Sequence, residues 1–289
     1  MSRRTSNLMW QVGITLGVLA LWQWAWSLKT LAPWAVPDIF DPYFVSRPSE
    51  IWTQFLRLSC LHSKPGEWSL PGSAPFAACM LKYENNLWFA TWVTLRNTFF
   101  GFLSGVTSGV ILGLLLGRSR RAAEIVGPYV TAVNSIPRIA LAPIIILAFG
   151  IGDASKIATS WIVVVFLVFF NTFEGARSVD RDYINASRLL GASEWQITRT
   201  VIIPSTMAWV FASLSPAISF ALIGVIVGEF IGAEFGIGRL IIESEARGEA
   251  AGMMVAVFVL MAVGVVLSAG IQRMQAYLLR WQPQHQQTP

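Results

Sequence analysis

Six stretches of the chain are apolar for long enough to cross a hydrocarbon core, which takes about 20 residues in a helix. Met9–Leu28 is the first, and Asn97–Gly117 the second; neither contains a charge. The third runs from about Ile125 to Gly150 and carries one charge, Arg138, directly after Pro137. Ile157–Phe173 is bounded by Lys156 and Glu174, a fifth run lies between Thr200 and Glu229, and Ala250–Gln272 is uncharged up to Arg273. In lipid each must be a helix, because an open strand leaves backbone groups unpaired. The apolar/polar alternation of a membrane barrel is absent from these runs. The expected fold is all-α, with six transmembrane helices.

Arg3 and Arg4 ahead of the first run fit the basic start of a signal peptide. Twenty uncharged residues exceed the usual signal core, however, and no small-x-small site follows Trp26, so the run reads as a retained helix. Trp10, Trp22, Trp24, Trp26 and Trp34 crowd this helix and its exit, as an interfacial aromatic belt does.

The basic residues fix an orientation. Arg118, Arg120 and Arg121 follow the second run, and Arg177, Arg181, Arg188 and Arg199 lie between the fourth and fifth. With Arg3, Arg4, Arg273 and Arg280 they all fall on one side of six alternating helices, which makes that side the cytoplasm and places both termini there. The chain then divides into a cytoplasmic N-terminus 1–8, a first span 9–28 and an extracytoplasmic segment 29–96. A five-helix core 97–275 with a polar loop 177–200 follows, and then a cytoplasmic tail 276–289. Composition agrees: 13% of residues are charged and 54% are hydrophobic, where a soluble domain carries about a quarter charged. The net charge of +5 sits at span ends, so it marks membrane flanks and not a nucleic-acid surface.

Residues 59–86 read as an irregular insertion, punctuated by Pro65, Gly66, Pro71, Gly72 and Pro75. Both cysteines, Cys60 and Cys79, lie in it on the oxidising side; they are either bridged there or two unrelated small side chains.

Between the fourth and fifth runs stands EGARSVDRDYINASRLLGASEWQITRTVIIP, Glu174–Pro204, too polar to span and too long for a simple loop. Tyr183–Leu190 has helical character, and Gly191 suits the left-handed residue that ends a helix. Ser193 followed by Gln196 has the spacing of a capping box, which starts another helix. Helix, glycine turn and second helix are therefore expected on the cytoplasmic face.

This segment resembles the cytoplasmic EAA loop of ABC importer permeases, whose pattern is Glu-Ala-Ala, three residues, Gly, then an apolar residue and Pro. Here the pattern reads Asn185-Ala186-Ser187, three residues, Gly191, then Ile203-Pro204. VSRPSEIW (Val45–Trp52), IALAPIIILAFGIG (Ile139–Gly152) and GEFIGAEFGIGRLI (Gly228–Ile241) resemble the nitrate/sulfonate/taurine branch of that family, in the same order. The likeness covers roughly residues 40–275. It implies a type I importer permease of the bacterial inner membrane, paired with a second copy or a paralogous permease. Two ATPase subunits would dock below and a soluble binding protein would deliver substrate from above. Asn185, Ala186, Ser187, Arg188, Leu189, Leu190, Gly191 and Ala192 would form the coupling helix and its turn. Asn185 stands where the family has Glu, and Ser187 where it has Ala; Arg138 replaces a second proline, and the insertion is longer than in the branch.

No G-x-x-x-x-G-K-[ST] phosphate loop occurs, so ATP and Mg are expected on the partner ATPase, and no metal or cofactor on this chain. On a straight helix entering near Glu124, Arg138 would lie about 20 Å deep, where an arginine facing lipid costs at least about 2.5 to 3.5 kcal/mol. It must face protein or water. Either it lines the path of an anion with Asn134 and Ser135, or it is satisfied at a helix break after Pro137. Ser219, near Pro216, is a further candidate for the path. A membrane-embedded enzyme would need convergent carboxylates or metal ligands within the spans, and an ion-coupled transporter repeated halves or acidic coupling sites; neither is evident. The expected cargo is a small solute, an anion such as a sulfonate, nitrate or organic acid.

Overall fold

A computed structural model describes residues 3–31, 45–64, 67–69, 71–81 and 86–279. Trp34, Pro65, Gly66, Arg280 and His285 lie outside the described residues, as do the side chains of Arg3, Arg4, Trp26, His62 and Arg120. The chain forms two compact units, one of residues 1–91 with 235–260 and one of residues 92–234 with 261–289.

The first unit opens with α1 (Arg3–Leu31), which contains the predicted first span. Pro48 at its first turn starts α2 (Pro48–Leu58). The two are tied by Gln23, whose side chain donates to Ser49 Oγ at 3.0 Å and accepts from the Ser49 amide at 3.1 Å. The insertion is more ordered than its composition suggests. An antiparallel ribbon pairs His62–Lys64 with Glu67–Trp68, and α3 (Ala74–Met80) follows, capped by Ser73. Cys60 and Cys79 are bonded to each other, with their Cα atoms 5.7 Å apart. This unit also holds α11 (Ile237–Ala246), where Arg239 pairs with Glu243 and stands 6.0 Å over the Phe235 ring.

Helix α4 (Leu87–Gly117) begins ten residues before the predicted second span. Asn86 is the reason: its Oδ1 accepts from the amides of Trp88 and Phe89 at 2.9 and 3.3 Å, a side-chain cap. Arg96, a good helix former, lies within the helix and pairs with Asp153.

In the second unit, α4 is followed by α5 (Arg120–Asn134), a 3-10 turn (Arg138–Leu141) and α6 (Ala142–Phe149). The predicted third span is thus not straight. Its halves meet at 80°, since Pro137 has no N–H to continue the ladder and disfavours helix at Ile136. The 20 Å depth inferred for Arg138 from a straight helix therefore does not hold. Next come α7 (Asp153–Arg177), α8 (Arg181–Leu189), α9 (Glu194–Ile197), a π turn (Thr198–Ile202) and α10 (Ile203–Gly232). The π turn widens the helix one turn ahead of Pro204, whose missing donor it accommodates. The last helix, α12 (Ala250–Leu278), packs on α10 in this unit: Ser268 lies 3.5 Å from Ser219, and the Gln275 amide reaches the Phe211 carbonyl.

The centre of the second unit is α7, clasped by small residues of two helices. Gly101, Gly105, Gly109, Gly113 and Gly117 recur every fourth residue on α4. In unbroken register they face Ser160, Val164, Val168, Thr172 and Ala176 of α7. A Cβ at Gly105, Gly113 or Gly117 would come within 2.6 to 2.8 Å of the facing side chain. The two backbones run parallel and nearly touch, as small-residue stripes permit in apolar surroundings. Along the same stretch α7 also meets α10, antiparallel: Gly224 lies against Ser160, Gly228 against Lys156, and Gly175 against Trp209. Val164, Val168, Ala217 and Ala221 form the fully buried core of that seam.

Four described helices are long and apolar enough to cross a membrane (α4, α7, α9–α10 as one helix, and α12), and the bent α5–α6 pair makes a fifth if counted as one span.

Candidate functional site

The polar segment after α7 folds into a rigid corner, each part fixed by local chemistry. Asp180 caps α8, accepting from the Asp182 amide at 3.0 Å. The C-terminus closes with Gly191 at φ +83°, the left-handed region that glycine enters without steric penalty. The Ala192 amide donates to the Ser187 carbonyl at 3.0 Å and the Gly191 amide to Arg188 at 2.9 Å, the paired bonds of a Schellman cap. Ser193 and Gln196 then satisfy each other's amides, at 2.7 and 3.3 Å, in a complete capping box. Arg188 Nε donates to Glu194 Oε1 at 2.9 Å across the corner. That bond holds the Glu194 carboxyl below its ordinary range and raises the Arg188 guanidinium.

The corner is seated by few residues. Ile184 and Ala192 touch a buried cluster of Ala176, Val179, Ile197 and Ile202. No residue of α8 is buried. Leu189 and Leu190 are 89% and 88% exposed, with Tyr183 and Trp195 beside them in the same segment. Two adjacent leucines this bare, on a helix locked at both ends, form an apolar knob. Asn185 and Ala186 are exposed on the same helix, and Ser187 turns its hydroxyl back to the Tyr183 carbonyl at 2.8 Å.

Of the residues expected along a translocation path, the structure brings two together. Arg138 donates to the Asn134 side chain, and to its carbonyl at 3.4 Å, across the bend. Its guanidinium stands 5.9 Å over the Phe166 ring of α7. Ser135 instead donates to Thr131, and Ser219 faces Ser268.

At the end of the second unit opposite α8, charges that bound the apolar runs in the sequence come together in a polar cluster. Lys156 and Glu229 are only 3% and 2% exposed. Thr94 donates to Glu229, Asn97 donates to Asp153 at 3.0 Å, and Lys156 and Arg96 both pair with Asp153. The missed signal was polar residues on the α4 stretch, Thr94 to Asn97, facing charges at the ends of two other helices.

Comparison with known proteins agrees with this architecture. The family model described as "Binding-protein-dependent transport system inner membrane component" matches residues 105–281. The formylaminopyrimidine transport permease protein ThiX of Halalkalibacterium halodurans is 31% identical over 188 residues, covering 65% of this chain and 75% of that protein. The nitrate import permease protein NrtB of Synechococcus elongatus is 27% identical over 61% of this chain and 64% of its own. Among solved structures, a chain of the inward-facing MetNI methionine ABC transporter superposes with a TM-score of 0.59 at 21% identity, over 71% of this chain and 98% of that one. A family match over more than half the chain, on helices that end in this capped corner, makes the protein a member of the binding-protein-dependent inner membrane components, the permease subunit of an ABC importer.

Proposed function

We propose that this permease imports a small solute bearing a negative charge, as one of two permeases standing on two separate ATPase subunits. A soluble binding protein delivers the solute from the far side of a bacterial cytoplasmic membrane. ATP and Mg belong to the ATPases, consistent with the lack of any phosphate loop in this chain. In this reading α1 supplies the first of six spans, both termini are cytoplasmic, and the arginine-rich α8 side faces the cytoplasm.

The observation that carries the reading is the bare pair Leu189 and Leu190 on a helix fixed by two caps. An apolar knob of this kind fits a hydrophobic groove on a partner. Closure of the ATPase pair would push on it, and the helices α7 and α10 that flank it would carry the movement. A charged cargo is supported by Arg138, the one charge inside the bent pair between Arg121 and Phe149 that lies away from its outer end. The relatives named for nitrate and for a pyrimidine bracket the size expected.

Purification of the tagged chain from its own operon in mild detergent tests this, read by native mass and partner identification. Two copies with two ATPase subunits are expected. Leu189→Asp with Leu190→Asp should release the ATPases while leaving the membrane part folded. A particle lacking any ATPase in the wild type would overturn the reading.

A further inference from the structure

One side of α7 carries a feature the transport reading does not use. Between α5 and α7 lies a cavity of about 170 Å³. Its wall is Tyr129, Phe166, Phe169, Phe170 and three valines of α5, and Asn134 is the amide among them. Phe166 and Asn134 are also the two residues that hold Arg138, one beneath its guanidinium and one by hydrogen bond. Arg138 Nε is buried and has no hydrogen-bond partner among the described residues.

We propose that this cavity is a binding site for a single-ring aromatic anion, with the ring among the phenylalanines and its carboxylate or sulfonate on Arg138. The inference deepens the proposed transport function by naming a substrate class and a stopping place for it. Size supports one ring: an apolar cavity of about 150 Å³ is known to bind benzene, so this one accepts a benzene ring with a small substituent projecting toward Asn134. Chemistry supports an aromatic over an aliphatic body, because Phe166, Phe169 and Tyr129 offer faces and edges that favour ring contacts beyond the area they bury. Charge supports an anion, because a guanidinium with a spare donor pairs with the oxygens of a carboxylate or a sulfonate. A lipid tail would fill the volume but leave that donor unmet.

The test uses the full chain with its co-purified ATPase in lipid nanodiscs, with radiolabelled benzenesulfonate as the probe. Saturable binding is expected, at least ten-fold tighter than methanesulfonate, which lacks the ring, and benzyl alcohol, which lacks the charge. Arg138→Gln should bring benzenesulfonate to the level of benzyl alcohol, and Arg138→Lys should retain part of the preference. Phe166→Ala should weaken both ring compounds by ten-fold or more. Benzenesulfonate binding no tighter than either comparator in the wild type would overturn the proposal. So would binding in detergent that vanishes in nanodiscs, which would assign the cavity to a lipid tail. ATP hydrolysis on the same preparation separates the two ideas. An active ATPase without probe binding sinks the site alone, and probe binding without any ATPase sinks the coupling reading alone.

Discussion

Thr94 on α4 donates one hydroxyl to both carboxylate oxygens of Glu229 on α10, at 2.8 and 3.1 Å, inside a buried environment. The two residues are 135 positions apart in sequence. Glu229 needs such donors, because a carboxylate removed from water is costly unless hydrogen-bonded or paired. Thr94→Val keeps the volume and removes the donor. It should destabilise the purified protein by about 1–3 kcal/mol, the range for a buried polar group that loses a hydrogen-bond partner. A melting curve in detergent checks this, and no change in Tm would mean the bond contributes nothing.

The glycine seam makes a sharper contrast. A Cβ on Gly113 would sit 2.6 Å from Thr172 Cβ, whereas one on Gly127 of α5 meets nothing within 4 Å. Gly113→Val should therefore destabilise by about 1–3 kcal/mol or more through overpacking. Gly127→Ala should be neutral or stabilising by up to about 1 kcal/mol through helix propensity. Equal effects of the two on melting would contradict the backbone contact described for α4 and α7.

Protons should loosen the corner after α8. Glu194 has its folded-state carboxyl held down by the Arg188 hydrogen bond. A depressed carboxylate contributes stability above its unfolded-state range, and the contribution is lost as pH falls through the folded value. Hydrogen exchange at the Gly191 and Ala192 amides should thus be unaffected near neutrality and should accelerate, relative to its intrinsic pH dependence, on acidification below the ordinary carboxylate range. Glu194→Gln should abolish that acid response, and high salt should blunt it, since the pair is exposed. A variant that responds to acid like the wild type would assign the effect to another group.

The Cys60–Cys79 bond closes a loop between residues 19 positions apart. Loops of that order lose about 3 kcal/mol of stabilisation when the bond is removed, on the chain-entropy account. Cys60→Ser with Cys79→Ser should accordingly lower the temperature at which the insertion becomes protease-sensitive, while leaving ATPase co-purification intact. Loss of the ATPase in the double variant would show that the insertion supports the whole fold.

Much of the corner after α8 was legible because its determinants are local. A glycine at the left-handed position and a Ser-x-x-Gln spacing specify their own hydrogen bonds, whatever surrounds them. The apolar runs were legible for a different reason: lipid forces helix on them. What sequence alone left hidden depends on partners far along the chain. Lys156 and Glu229 look like flanking charges, because a charge at a span end reads the same whether it meets water or another helix. Asn86 caps α4 within turn-rich sequence that masks the helix start. Pro137 announced a break, but the 80° angle is set by what α5 and α6 each pack against. The five evenly spaced glycines were in plain view, yet their spacing does not say which helix they meet.

That seam limits how the molecule can move. Two helices joined by interlocked small residues over several turns cannot slide without driving backbone into side chain, nor part without opening voids. Helices α4, α7 and α10 are thus a stiff strut, with α8 at one end and the Thr94–Glu229 bond at the other. In the proposed coupling, a push on Leu189 would reach the far end as displacement rather than as slippage between helices. Compliance is left to the joint at Ser135–Pro137, where the helical ladder is already interrupted.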